Sequence, residues 1–268
     1  MAIAHSTRYA YAEAASRVTQ ILRLWPASCA GQEIVDWRVE VNGKRIAYTA
    51  IDGFDNPSAT HTLDGPVEAL TIAVHGTVNS EDRSGVLGER DEALAPDYFL
   101  YSTRLTEADD SIRGLAEGIG AADDEVTRMH RLMAAVRERL DYIPRQTTAE
   151  TTAIDAIKRG AGVCQDHAHV LASAARSLGF PARYVSGYLS AGDDGAAAAS
   201  HAWAEIYLSN LGWVGFDASN RVCPDERYVR IASGRDYRDA APVRGVRLGG
   251  ADETMEVTVQ VREARDSQ

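Results

Sequence analysis

Three short motifs in the second half of the chain contain residues that together could perform thiol chemistry. A cysteine follows glycine and valine in Gly162-Val163-Cys164, a histidine opens His201-Ala202-Trp203, and a carboxylate ends Gly215-Phe216-Asp217. A cysteine is nucleophilic only as its thiolate, which needs a base nearby, and the base needs a partner that fixes its tautomer. The three motifs supply a candidate for each of these needs.

The residues around Cys164 predict that it lies in the first turn of a helix. After the turn Gly160-Ala161-Gly162, apolar residues recur at helical spacing as far as Leu178, and Gly179 ends the pattern. At a helix N-terminus the unpaired N–H groups and the macrodipole favour negative charge. This position would stabilise a thiolate, and the backbone N–H of Cys164 is one candidate donor to an oxyanion. The sequence does not assign a second donor.

His201 and Asp217 are predicted to lie on paired strands of one hairpin. Residues 201–208 alternate so that His201 and Trp203 share a face, and the turn Ser209-Asn210-Leu211-Gly212 leads into the next strand. With the turn centred near Asn210, position 201 lies opposite position 219. Asp217 is then a diagonal neighbour of His201, with Cβ atoms roughly 7 Å apart. A slip of one residue in register would separate them.

The segment that precedes Cys164 is predicted to form two helices. Apolar residues from Val126 to Leu140 recur on one face after an acidic start at Asp124. A capping box of Thr147 and Glu150 predicts a second helix that starts at Thr147 or Thr148 and runs to about Arg159.

The N-terminal half has the alternation that is typical of β-strands. Asn42-Gly43 separates two alternating runs, which is a strong hairpin signal, and residues 67–78 form another run. We therefore predict a β-rich domain over 1–105, a sandwich or small barrel, and a catalytic domain over 106–268. The final alternating run, 254–261, is predicted to join one of the sheets.

These motifs resemble those of the transglutaminase-like superfamily of papain-type thiol enzymes. The resemblance to the core covers about residues 125–220 and rests on four segments, 162–166, 182–188, 201–205 and 215–217. Looser similarity to bacterial members extends to the N-terminal half and to the loop 234–242. The resemblance implies an α+β protein with a papain-like core, in which the helix bearing the cysteine packs on an antiparallel sheet. It also implies a triad of Cys164, His201 and Asp217 and a thioester acyl-enzyme.

The predicted activity is cleavage or transfer of an amide acyl group by a thiol, most simply by a cysteine peptidase or amidase. With a lysine amine as acceptor, the same residues would make a protein-glutamine gamma-glutamyltransferase that cross-links proteins. A hypothesis of another class is a non-catalytic module that binds peptides. The residues predicted to border the substrate cleft are Gln165, Tyr188, Trp203 and Tyr237, although an aromatic residue in a strand more often serves packing.

Composition limits the expected partners. The chain has 268 residues, 45% of them hydrophobic, and a net charge of -11, which disfavours nucleic acid and anionic membranes as partners. The N-terminus has no signal-peptide pattern and no run of about 18 apolar residues occurs, so we expect a cytoplasmic protein. A protein or peptide substrate is the expected partner, and the oligomeric state is left open.

No metal or other cofactor is expected. Cys29, Cys164 and Cys223 are too widely spaced for a zinc motif or a disulfide framework. His167 and His169 lie near Cys164, but only residues three or four apart share a helix face, so they do not form a ligand set with it. The sequence also lacks a calcium loop of the EF-hand type.

Overall fold

The computed structural model describes residues 1–122, 124–190 and 199–262. No helix within these ranges is long and apolar enough to cross a membrane. The elements, in chain order, are β1 (Ala2–Leu22), β2 (Gln32–Val41), β3 (Lys44–Ile46), β4 (Ala50–Ile51), β5 (Pro57–Ser80), β6 (Val86–Gly88), a 3-10 helix (Pro96–Leu100), α1 (Asp110–Gly118), α2 (Glu125–Arg139), β7 (Asp141–Tyr142), α3 (Ala153–Arg159), β8 (Ala161–Gly162), α4 (Cys164–Ser177), β9 (Ala182–Leu189), β10 (Ala199–Leu208), β11 (Gly212–Phe216), β12 (Tyr228–Gly234), α5 (Tyr237–Ala240), β13 (Val243–Gly249) and β14 (Glu253–Arg262). The fold is of the predicted α+β class.

The N-terminal half of the chain forms an antiparallel sheet with the strand order β13-β1-β5-β2-β3. The predicted hairpin is present: Asn42 and Gly43 both have positive φ, 50° and 75°, and connect β2 to β3. The run predicted at 67–78 lies inside β5. In the described residues these strands are hydrogen-bonded into one open sheet, whereas the prediction was a sandwich or small barrel. The pairing of β1 with β5 shifts register at bulges between Ala10 and Arg17.

The C-terminal end of the chain completes this sheet. The predicted last strand is β14, which pairs with the first half of β1, while β13 pairs with the second half. The strand β1 itself was missed by sequence analysis, since its alternation breaks between Ala10 and Ala15, where the register shifts. The division into 1–105 and 106–268 remains a prediction.

The second sheet is antiparallel, with the order β12-β9-β10-β11-β6, and α4 packs against β9 and β10. Helix α2 begins as predicted, with the Asp124 carboxylate accepting the Thr127 N–H at 2.7 Å. The predicted apolar face of α2 is buried in the core between α4 and the sheet. This arrangement, a cysteine-bearing helix packed on an antiparallel sheet, is the one that the motifs imply.

The predicted start of α3 is wrong. The helix begins at Ala153, where Thr152 is the N-cap and Asp155 completes a reciprocal capping box. Two capping boxes therefore compete in the sequence. The Thr147–Glu150 box does not form, because the Thr147 hydroxyl donates to Asp166 at 2.7 Å and the Glu150 carboxylate pairs with Arg104.

Candidate active site

Cys164 is the first residue of α4, as predicted, and the turn before it is fixed by Asp166. One oxygen of the Asp166 carboxylate accepts both the Val163 N–H, at 2.7 Å, and the Thr147 hydroxyl. Burial raises the pKa of Asp166. A Cβ at position 162 would lie 2.6 Å from the Asp166 carboxylate oxygen, so the turn needs glycine. The sequence Gly-Val-Cys-Gln-Asp thus places a partly buried thiol at a helix N-terminus.

His201 and Asp217 meet in the predicted register. Leu208 pairs with Gly212 and Ala204 with Phe216, so position 201 falls opposite position 219. Asp217 follows the last residue of β11, and its Oδ2 lies 2.6 Å from His201 Nε2. Both side chains are buried.

The Asp217 carboxylate is held by a set of donors besides His201. It accepts the Ser219 N–H at 2.9 Å, the Tyr228 hydroxyl at 2.8 Å and the Asn220 amide at 2.7 Å. Although burial raises the pKa of Asp217, the hydrogen bonds to His201, Ser219 and Tyr228 outweigh it and lower the pKa below its ordinary value. Asp217 is therefore ionised and fixed in orientation.

His201 is charged at neutral pH in this environment. Burial lowers its pKa, but hydrogen bonds with Asp217 and Cys164 raise it to about 10. Because Asp217 engages Nε2, the nitrogen left to interact with the thiol is Nδ1. The structure thus brings the three predicted residues together in the order of thiol, imidazole and carboxylate.

Tyr142 also touches Cys164, which sequence analysis did not indicate. Strand β7 runs parallel to β8, so that Tyr142 lies opposite Gly162, two residues before the cysteine. Burial and the adjacent Cys164 thiol raise the pKa of the Tyr142 hydroxyl, and the Cys164 backbone N–H donates to it. A two-residue strand has no alternation that a sequence pattern could reveal.

The four residues predicted to border the cleft fall into two groups. Gln165 and Tyr237 line the cleft at Cys164. Trp203 instead lies behind His201, with the two rings stacked at 6.4 Å between centroids, and its ring fills the space left by Gly187. Tyr188 is also buried, and its hydroxyl hydrogen-bonds His5 Nδ1 at 2.7 Å. We therefore correct the placement of Trp203 and Tyr188, which support the site from behind.

The cleft itself has a volume of about 250 Å³ and lies between the two sheets. One side of the cleft contains Cys164, Gln165, His201 and Tyr237, and its other side is formed by residues of β1 and β14. Sequence analysis missed this second side of the cleft, because it is formed by two paired strands that are about 250 residues apart in the chain.

The two histidines that follow Cys164 serve local structure. The ring of His167 contacts the Val163 and Leu140 carbonyl oxygens at 2.9 and 3.1 Å. His169 accepts the Tyr237 N–H at 3.0 Å, and burial lowers the pKa of His169 to about 4. Across the described ranges, no group of three or more His, Cys, Asp or Glu side chains is placed to hold a metal ion.

Two sequence-family models match this chain. The sequence model of the transglutaminase-like superfamily matches residues 113–218, and that of the bacterial transglutaminase-like N-terminal region matches residues 1–79. An uncharacterized protein of Mycobacterium leprae is 31% identical, over 97% of this chain and 98% of its own. An uncharacterized protein of Mycobacterium tuberculosis is 26% identical, over 91% and 86%.

A solved structure extends the comparison to the whole fold. A candidate cysteine protease from Cytophaga hutchinsonii matches with a TM-score of 0.75 and 25% identity, over 99% of this chain and 92% of the other. Fold and site together define a papain-like thiol-enzyme core joined to a β-rich region. The chain belongs to the transglutaminase-like superfamily. This membership and the structural neighbour support cysteine-dependent catalysis in general terms.

Proposed function

We propose that the protein is a cysteine peptidase or amidase that cleaves an amide through a thioester acyl-enzyme. Cys164 is the nucleophile, His201 the acid and base, and Asp217 the residue that orients the ring. The observation that carries this proposal is the 2.6 Å contact between His201 and Asp217 beside a thiol at a helix N-terminus. A purely structural cysteine would need neither partner.

The reaction follows from the positions of these groups. The Cys164 thiolate attacks the amide carbonyl carbon, and the negative charge moves to the carbonyl oxygen. The tetrahedral intermediate collapses as the C–N bond breaks and the imidazolium of His201 gives its proton to the departing amine. Water then attacks the thioester, loses a proton to His201 and releases the acid as the C–S bond breaks. Asp217 keeps Nδ1 directed at the thiol throughout.

Two donors in the site suit the oxyanion of that intermediate. The first is the Cys164 backbone N–H, at the start of α4. We propose the Tyr142 hydroxyl as the second, since it already lies at this N–H and at the thiol. When the carbonyl oxygen enters, the phenol can turn its proton from sulfur to oxygen.

Water is the proposed acyl acceptor. Cys164 is only partly buried and opens into a wide cleft, so the thioester would not be shielded from solvent. The structural neighbour, a candidate cysteine protease, also favours hydrolysis.

An acyl-partition assay tests this proposal. A fluorogenic peptide amide would be incubated with the protein, with and without a primary amine, and the products and the mass of the Cys164 peptide would be followed. We expect the free acid as the main product, a transient acyl group on Cys164, and no turnover with Cys164→Ala. Exclusive formation of the amine-transfer product would indicate a cross-linking transglutaminase instead. Binding of the peptide without turnover would favour the binding module.

The composition supports two further proposals. We propose that the substrate is a protein or peptide and that the protein acts in the cytoplasm, with neither nucleic acid nor membrane as partner. The net charge of -11 favours this choice of partners. Fractionation of cells that express the tagged chain tests the location, and recovery in an envelope fraction would contradict it.

A further inference from the structure

One side of the catalytic cleft is built by the N-terminal sheet. His5, Thr7 and Tyr9 alternate along β1 and all line the cleft, while Val257 and Met255 of β14 lie opposite Thr7 and Tyr9 in register. Residues at alternate positions of paired strands share one face of a sheet. These five residues, which we call the sheet wall, therefore form a continuous surface across the cleft from Cys164.

The sheet wall carries no charge. A quarter of the residues in the chain are charged, yet among the described residues that line the cleft none is Asp, Glu, Lys or Arg. The charged residues of these strands lie on the other face of the sheet. Arg8 pairs with Glu256, between the sheet-wall positions, and both side chains are exposed on that other face. Burial lowers the pKa of His5 to about 4, and its ring nitrogens are used by Tyr188 and Thr7, so His5 is neutral.

The sheet wall also offers apolar surface that the described residues leave uncovered. Met255 is 62% exposed and Val257 46% exposed, although both border a cleft. An apolar ligand side chain gains free energy when it covers such surface. A charged side chain would lose water there and find no counter-ion on the sheet wall itself.

From these observations we infer that an uncharged apolar side chain of the acyl donor, such as leucine, methionine or phenylalanine, packs against the sheet wall. This inference rests on the proposed function of Cys164. It assigns the N-terminal sheet a part in substrate selection, with Val257 and Met255 as specificity-determining residues.

Alkylation of Cys164 tests the sheet wall without requiring turnover. Four chloroacetamides would be compared, carrying an isobutyl, a benzyl, a carboxymethyl or an aminoethyl group, with each rate divided by that for a free thiol. We expect both apolar reagents to react about 10-fold or more faster than both charged ones. Reagents of both charges are included because the negative field of the acidic protein would accelerate the cationic reagent alone. Equal normalised rates for all four reagents would overturn the inference.

A pair of variants locates the effect. Val257→Glu places a carboxylate in the cleft, and Thr258→Glu places the same charge one residue away, on the opposite, exposed face of β14. We expect Val257→Glu to slow the apolar reagents and speed the cationic one, and Thr258→Glu to keep the wild-type order. If the two variants behave alike, the sheet wall does not select the ligand.

The same experiment separates this inference from the proposed function. Rapid labelling of Cys164 without selectivity would refute the sheet wall alone. Labelling of Cys164 no faster than that of a free thiol, with every reagent, would refute both. Peptide amides that differ only in Leu, Glu or Lys next to the scissile bond then extend the test to kcat/KM, where we expect leucine to be favoured.

Discussion

Replacing Asp217 with asparagine removes the negative charge that keeps His201 protonated. The difference between the ordinary His pKa of 6.5 and the value of about 10 corresponds to about 5 kcal/mol, which Asp217 and Cys164 supply together against the cost of burial. Asparagine still fills the site and can accept the Ser219 N–H, but it offers no charge to Nε2. We therefore expect the pKa of His201 to fall towards its ordinary value and kcat/KM at neutral pH to fall by about 10²–10⁴.

The assay is the pH profile of kcat/KM on a fluorogenic peptide amide, with circular dichroism to verify folding. Asp225→Asn is a matched control, because the Asp225 carboxylate pairs with Arg227 at 2.6 Å and, in the described part of the chain, does not hydrogen-bond His201. The control should keep both the rate and the profile. An Asp217→Asn protein with the wild-type rate and an unchanged profile would refute the role given to this carboxylate.

Three further predictions concern the surroundings of Cys164. Tyr142→Phe should lower kcat by about 10²–10³ with little change in KM, because one oxyanion donor is lost; a change in KM alone, in steady-state kinetics, would contradict this role. Gly162→Ala should destabilise the fold by about 1–3 kcal/mol, because its methyl group meets the Asp166 carboxylate; an unchanged midpoint in urea unfolding would contradict the clash. The pKa of His201 is higher in the folded than in the unfolded protein, so the contribution of His201 to stability is complete below pH 6.5 and is lost as the pH rises towards about 10. Urea unfolding at several pH values should show a smaller loss of stability in Asp217→Asn than in the wild type. Equal losses in both proteins would argue against the His201–Asp217 pair.

Local signals were sufficient to predict the core of the site. The three-residue loop centred on Asn210 sets the hairpin register, and the register sets the contact of His201 with Asp217. The glycines before Cys164 and the helical pattern after it set the start of α4. Each of these features depends on residues that are close in sequence.

Features that depend on distant residues could not be predicted in this way. The sheet wall needs β14 to pair with β1, and alternation in either strand does not reveal its partner. Trp203 shares a face with His201, as expected, but only the glycine at position 187 of the neighbouring strand explains why its ring lies behind the histidine. The start of α3 was decided by the competing hydrogen bond between Thr147 and Asp166.

The most direct test of the Cys164–His201 pair is the pH dependence of alkylation at each cysteine, followed by mass spectrometry in the native protein and in His201→Ala. Burial raises the pKa of Cys223 to about 11, so this thiol provides an internal reference for an unactivated cysteine. We predict that Cys164 reacts well below the free-thiol pKa of about 8.5 and that this advantage shrinks in His201→Ala. If Cys164 reacts no faster than Cys29 or Cys223 in the native protein, the pair is not formed and the proposed catalysis is wrong.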